Sequence, residues 1–363
     1  MTAGRRKPDL ILFAATVGLL VIGVVMVFSA SYTTGLADFN DPYHYIKRQA
    51  MWAVIGVVAM VFVTRIDYRK FRAFALPGLI AAMALLALVL VVGNEVAGAK
   101  RWFDFGPVGL QPSELAKLAV INFTAGYIAT MRGRIRTLWQ GLLLPLGIVA
   151  IVFLLILLEP DFGTGVAVIG TATLMLFAGG TNLLYLALLG LSGLPVLGVL
   201  VWTKPYRMQR IVSFLDPWKD PLGAGWNVIQ SLYAIGSGGL FGLGLGESRQ
   251  KFAYLPEQHT DFIFAILSEE LGFIGVCAVI LCFLVLAWRG YRVALKAPDL
   301  YGSMLAVGIT TMIVLQAILN IGVVSGSFPV TGVTLPLISF GGSSLTITLA
   351  GLGVLLNISR AAR

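Results

Sequence analysis

The chain is a succession of long apolar runs separated by short polar segments, and that alternation restricts its fold more than any motif does. Ten runs stand out, at about 9–30, 47–64, 73–93, 113–131, 141–158, 164–179, 183–203, 259–288, 302–325 and 336–357. Most come near the ~20 residues an α-helix needs to cross ~30 Å of hydrocarbon. The composition agrees: 58% of residues are hydrophobic and 12% charged, whereas soluble domains carry about 25% charged residues. The expected architecture is therefore all-α, a polytopic membrane protein with ten transmembrane helices in a single domain over 1–363.

The cations orient this bundle. With Arg5, Arg6 and Lys7 in the cytoplasm, the same side receives Arg65, Arg69, Lys70 and Arg72, then Arg132, Arg134 and Arg136, then Arg289, Arg292 and Lys296, and finally Arg360 and Arg363. This is the positive-inside distribution, and it predicts cytoplasmic N- and C-termini. The acids sort the other way, with only Asp9, Asp67 and Asp299 falling inside. The net charge of +9 is thus a signature of topology and not of nucleic-acid binding. The first run exceeds a secretory h-region and is followed by nine more, so it reads as an uncleaved first helix. Cys277 and Cys282 share one helix on different sides, a spacing that implies neither a disulfide nor a metal site.

One connection is long. Residues 204–257, between helices 7 and 8, form an extracytoplasmic loop in which Trp218, Trp226 and Tyr233, with Trp202 just before it, are spaced among cations. Aromatic and basic residues at a membrane border predict a segment that lies on the interface. Connections of this length are usually functional or disordered.

Acidic residues concentrate in YLPEQHTDFIFAILSEELG (254–272), which places Glu257, His259, Asp261, Glu269 and Glu270 in or beside an apolar helix. Asp261 reads either as an acid at the helix start, held by free amides and the helix dipole, or as a general base facing a cavity at the membrane border. Glu269 and Glu270 lie about 12 Å further along the helix, at a depth where ionisable groups are costly and need a partner or a wet cavity. They read as structural pairing groups or as supports of an active site.

A second cluster, GAKRWFDFGPVGLQPSELAKLAVINF (98–123), spaces Glu114 and Lys117 three apart on one helical face. Lys117 pairs with Glu114, or reaches a buried anion, or steadies Asp261 or Glu269. Arg101 and Trp102 precede it at the interface, where an arginine is suited to an anionic head group. EPDFGT (159–164) adds Glu159 and Asp161 in a tight outer turn, and GSFPVTGVTLPLISFGGSS (326–344) ends in Ser343 and Ser344, whose amides and hydroxyls suit an anion. Irregular backbone of this kind is tolerated at membrane depth where it lines a cavity. Nucleotide-binding motifs, catalytic triads and metal clusters do not occur: GGLFGLGLGES lacks the required lysine, and His44 and His259 make no metal-ligand cluster.

The segments SRQKFAYLPEQHTDFIFAILSEELGFIG, RWFDFGPVGLQPSELAK, EPDFGT and FPVTGVTLPLISFGGSSL resemble, in order and over nearly the whole chain, the SEDS family of shape, elongation, division and sporulation proteins. MVFSAS and SFLDPWKDPLGAGW are most similar to its FtsW/SpoVE branch. The resemblance implies a ten-helix peptidoglycan glycosyltransferase of the bacterial plasma membrane that polymerises lipid II at the outer face, beside a class B penicillin-binding protein and other divisome proteins. It further implies that Asp261 is catalytic and that Glu114 and Lys117 share its cavity. Arg101, Trp102, Glu257, His259, Ser343 and Ser344 join them as candidate substrate-binding residues, with Glu159, Asp161, Glu269 and Glu270 in support. Arg101, Lys117, or a Mg²⁺ or Mn²⁺ ion held by outer carboxylates would stabilise the departing pyrophosphate. The family has also been described as a lipid II flippase, which is the alternative reading. Two departures from its pattern are Gly326-Ser327-Phe328 and Glu159, which stands where Gln is common.

Overall fold

A computed structural model describes residues 7–96, 99–104, 106, 109–203, 205–252 and 254–362. Helices stand over each of the ten apolar runs. They are α1 (Leu10–Phe39), α2 (His44–Arg65), α3 (Ala75–Val92), α4 (Pro112–Thr130), α5 (Leu144–Leu158), α6 (Phe162–Ala178) and α7 (Leu183–Trp202). Beyond the long connection, which holds α8 (Pro205–Leu215) and α9 (Trp226–Gly238), come α10 (Ile263–Lys296), α11 (Leu300–Val324) and α12 (Gly342–Ala361). Seven of these helical segments, those of α1, α2, α3, α5, α10, α11 and α12, are long and apolar enough to cross a membrane. Among the others α6 is short, with 17 residues, and α4 carries Glu114, Lys117 and Asn122 in its sequence.

The fold is all-helical but for one small antiparallel sheet that hydropathy gave no reason to expect. Strands β1 (Asn94–Val96), β2 (Ala99–Asp104) and β3 (Gly109–Leu110) pair in sequence order between α3 and α4. A short segment of mixed polar, aromatic and glycine residues separates these two runs, and a meander satisfies its backbone groups at the mouth of the bundle. It also fixes Arg101 and Trp102 on β2.

Packing places α11 and α12 at the centre, with α3 among the most peripheral of the apolar helices. Between α2 and α12 the backbones meet closely: a Cβ on Gly353 would lie 2.6 Å from the Met60 carbonyl oxygen. Small residues at helix contacts allow this approach, which dispersion rewards in a membrane.

The two ends of α1 mark two opposite faces, about 45 Å apart at 1.5 Å per residue. At its start, Asp9 caps the helix through Ile11 and Leu12, pairs with Arg289, and accepts nothing from the other face. Its backbone N–H donates to Ser359 Oγ at 3.0 Å. Asp299 on the same face caps α11 and accepts from Tyr68 and Arg69. Among the described residues Arg69, Arg72 and Arg289 therefore gather there, while Arg5, Arg6 and Arg363 lie outside the described residues. At the other end of α1, Thr33 Oγ1 donates to Lys251 O at 2.8 Å, and the Ala30 carbonyl accepts from Gln258 Nε2 at 2.9 Å.

The long connection differs from the flat interfacial segment expected of it. Helix α8 has that character, exposing Met208, Val212 and Leu215 while Arg207 lies 5.7 Å from the Phe162 ring. In contrast, α9 is inserted, burying Val228, Ile229 and Ala234, and its Ser231 Oγ donates to Val324 O at 2.6 Å. Apolar residues at helical spacing outweighed the interfacial signal of the aromatics there.

Helix α10 is broken at Gly272, whose φ of 64° and ψ of −169° interrupt it after Leu271. This conformation is essentially restricted to glycine. A Cβ there would stand 2.2 Å from the Gly242 nitrogen. Gly272→Ala is expected to cost ~1–3 kcal/mol for the backbone conformation alone, with the overlap adding to it. The thermal midpoint of the purified protein in detergent should fall clearly below that of wild type.

Candidate active site

A cavity of about 640 Å³ opens where the β2–β3 meander, the α5–α6 turn, the start of α10 and the irregular 327–341 segment converge. Asp261 lines it, as do Arg101, Trp102, Glu114, Asp161, Glu257 and Ser344 of the residues expected from sequence. This is a mixed wall: the cations Arg48, Arg101 and Arg210 face several carboxylates.

Asp261 is not a helix cap. It precedes α10, whose N-cap position is Phe262 and carries no side-chain cap bond. The Phe262 and Thr260 N–H groups both donate to the carbonyl of Glu257, which adopts φ +52°. That turn swings Asp261 into the cavity. Its backbone carbonyl is held by Asn320 Nδ2 at 2.7 Å, and the same amide reaches Val333 O at 2.7 Å. Ser339 Oγ donates to Thr260 O at 2.6 Å, and Phe340 N–H to His259 O at 2.9 Å. The irregular segment before α12 is thus the partner strand of the Asp261 turn. Gly332 leaves the carboxylate open: a Cβ there would lie 3.4 Å from Asp261 Oδ2. Among the described residues no hydrogen bond to that carboxylate occurs.

Burial pushes the Asp261 carboxyl up to about 7, with Glu257 and Asp161 adding to the effect and Arg210 and Arg101 opposing it. A base needs its ionised form, so activity that depends on Asp261 should be low in acid, rise as pH passes through ~7, and level off above. The stability effect has the opposite sign. The folded pKa lies above the ordinary value of 3.8, so the group's stabilising contribution is present at low pH and lost as pH rises through ~7. A pH–rate profile of kcat/KM, beside thermal midpoints at pH 6 and pH 8.5, checks both signs at once.

Glu114 and Lys117 are both buried, with Nζ 2.6 Å from Oε2 in a contact that lacks hydrogen-bond geometry. Glu114 reaches the cavity wall whereas Lys117 stands behind it. Lys117 therefore pairs with Glu114 and not with Glu269. Arg101 commits Nε to Glu159 O at 2.6 Å and Nη2 to Pro160 O at 2.8 Å, so it clamps the α5–α6 turn as well as facing the cavity. Asp161 caps α6 through Thr164 N–H at 3.0 Å. Glu159 is fully buried beneath the turn, and both of its carboxyl oxygens lack a hydrogen bond among the described residues. Burial, with Asp161 next in effect and Arg101 opposing, raises it to about 8, which keeps it protonated at neutral pH.

Four expected residues lie elsewhere. His259 is packed between Tyr45 and Phe340, with ring centroids 4.4 and 5.6 Å away, and burial lowers its pKa, leaving a neutral imidazole. Ser343 is buried off the cavity wall, since helix α12 turns it inward while Ser344 faces out. Glu269 and Glu270 point to the long connection instead of the cavity. The Glu269 carboxylate accepts from Ser248 Oγ and from the Arg249 N–H at 3.1 Å, and that of Glu270 accepts from Ser29 Oγ at 2.6 Å and pairs with Lys251 at 3.3 Å.

Arg48, Arg210 and Asn320 were not anticipated. Arg48 sits with Lys47 near the start of α2 and Arg210 on α8, and neither belongs to a motif that would single it out. Asn320 was hidden in an apolar run one helical turn after Gln316, a placement that itself signals a buried partner. Among the described residues no three His, Cys, Asp or Glu side chains group as a metal site. Asp261 and Asp161 on the wall would suit Mg²⁺ or Mn²⁺ only if phosphate and water oxygens completed the coordination.

The apolar helices, with a polar cavity lined by arginines and carboxylates among them, define a multi-pass membrane protein. The sequence matches the cell cycle protein family of FtsW, RodA and SpoVE over residues 10–363, and the chain belongs to that family. It is 50% identical over 365 residues to stage V sporulation protein E of Bacillus subtilis (strain 168), covering 100% of both chains. It is 44% identical over 362 residues to the probable peptidoglycan glycosyltransferase FtsW of Trichlorobacter lovleyi, covering 98% of this chain and 95% of that protein. Among solved structures, a chain from work on the coordination of polymerization and crosslinking by a peptidoglycan synthase complex superposes with a TM-score of 0.80 at 34% identity, covering 97% of this chain and 98% of that one. The crystal structure of rod shape determining protein RodA of Thermus thermophilus superposes with a TM-score of 0.74 at 32% identity, covering 97% of each.

Proposed function

We propose that this chain is a peptidoglycan glycosyltransferase that polymerises lipid II at the outer face of the bacterial plasma membrane, with Asp261 as general base. The observation that carries the reading is a carboxylate with no hydrogen bond among the described residues, raised to about 7 and presented to a cavity that also holds three arginines. A base is most effective when its pKa lies near the working pH.

In this mechanism Asp261 takes the proton of the acceptor GlcNAc 4-hydroxyl as that oxygen attacks the donor MurNAc anomeric carbon. The bond to the lipid pyrophosphate breaks in the same displacement. The anomeric configuration inverts, because no covalent sugar intermediate forms. Arg48, Arg101 and Arg210 stabilise the pyrophosphate as its charge develops. A Mg²⁺ or Mn²⁺ ion would share that charge when bound. The ten helices over the apolar runs span the membrane, the basic segments and both termini face the cytoplasm, and the cavity with the α8–α9 connection faces outward. A class B penicillin-binding protein and further divisome proteins are the partners, in keeping with the resemblance to a chain of a peptidoglycan synthase complex.

Purified protein given labelled lipid II in detergent should form glycan chains. No leaflets exist there, so a protein that only moves lipid II across a bilayer would leave the label monomeric, and that result would overturn the proposal.

A further inference from the structure

The buried acids of α10 that the mechanism does not use form a separate device. Glu269 and Glu270 are each 1% exposed, at a place where an unpaired carboxylate would be costly. Their partners all belong to the 237–251 segment and to α1. Glu269 collects Ser248 Oγ, the Arg249 N–H and the Gln250 N–H at 3.3 Å, and Ser237 Oγ at 3.3 Å. Glu270 collects both Lys251 Nζ and Ser29 Oγ, which lies 2.6 and 2.7 Å from its two oxygens.

The backbone repeats the connection. Because Gly272 breaks α10, the carbonyls of Glu269 and Glu270 are released to accept the Leu243 and Gly244 N–H groups at 2.9 and 3.1 Å. The chain leaving this junction runs from Lys251 through Gln258, which is tied to Ala30 O and Thr34 Oγ1, directly into the Asp261 turn. Asp261 is thereby held from both sides of the chain, by α10 following it and by a segment that α10 itself grips preceding it.

We propose that Glu269, Glu270, Lys251 and Ser29 form a clamp that positions the Asp261 turn, and that α1 takes part in catalysis through it. None of these four residues touches the cavity, so they are positioning residues. The inference rests on the polymerase reading for its catalytic part and on geometry alone for its structural part. The MVFSAS stretch of α1, unexplained by the site itself, acquires a role as the wall against which the clamp closes.

Two measurements on the full-length protein separate these parts. Hydrogen exchange should show faster exchange over residues 246–262 in Lys251→Met and in Glu269→Gln than in wild type, with α11 and α12 unchanged. Steady-state polymerisation by the same variants should show kcat lowered about 10- to 100-fold, the range expected when a reacting group is misplaced by ~1 Å, with KM for lipid II little altered. Lys251→Arg should recover most of the rate. Unchanged exchange would overturn the clamp, and faster exchange with wild-type kcat would overturn its link to catalysis. Should Lys251→Met fail to fold, Ser29→Ala, which removes a single hydroxyl, provides the same two readouts. If wild type itself makes no glycan, the polymerase reading falls, while exchange still decides whether the clamp exists.

Discussion

Lys117→Met is expected to destabilise the protein by ~3 kcal/mol, toward the lower end of the cost of breaking a buried ion pair. The estimate is placed low because Glu114 reaches the cavity wall, where water can partly compensate the lost ammonium. Removing both charges in Glu114→Gln/Lys117→Met should recover most of the loss, since the penalty comes from the stranded partner more than from the missing attraction. Thermal unfolding in detergent measures both variants. A single variant that kept wild-type stability but lost activity would mean that Lys117 acts on substrate and that its contact with Glu114 is incidental.

The second large effect concerns Asp261. General-base catalysis contributes typically 10²–10⁴-fold, so Asp261→Asn should lower kcat/KM by about that factor while leaving the fold intact. At pH 8.5 the variant should also be more stable than wild type, because ionising a carboxyl raised to about 7 works against folding there. Gain of stability together with loss of rate separates a functional group held at a cost from a structural one. Glu159 offers the contrast: it is closed off from solvent, mostly protonated at neutral pH and off the cavity wall, so no comparable rate effect is expected of it.

What could be read from the sequence followed its strongest physical signals. The ten apolar runs appear as helices because apolar length and backbone satisfaction leave few other solutions. Spacing of three placed Glu114 against Lys117 on α4, a local rule needing no tertiary knowledge. The same rule failed at Glu269. Helical periodicity carried through Asp261 would set the two on one face, but the turn at Glu257 leaves Asp261 outside α10, and the break at Gly272 opens the far end to the long connection. Neither positive φ is legible from apolar pattern.

His259 was misplaced for a related reason. A histidine two residues from a candidate base suggests chemistry, but the turn buries this ring between Tyr45 and Phe340, tilted to the first and edge-on to the second. Arg48, Arg210 and Asn320 come to the site from α2, α8 and α11, far apart in sequence, so only the assembled bundle brings them together. The β1–β3 meander is the clearest case of structure without a hydropathy signal. Its worth lies in carrying Arg101 to the carbonyls of Glu159 and Pro160, which ties the cavity mouth to the α5–α6 turn.

The central claim is that Asp261 draws the proton from the acceptor sugar. Its most direct measurement is the rate of glycan-chain formation from labelled lipid II in detergent by wild type and Asp261→Asn, followed across pH 5.5 to 9. The account predicts a wild-type rate that climbs through pH ~7 to a plateau, and a variant slower by 10²-fold or more without that rise. A variant that polymerises at the wild-type rate, with the same dependence on pH, would contradict it.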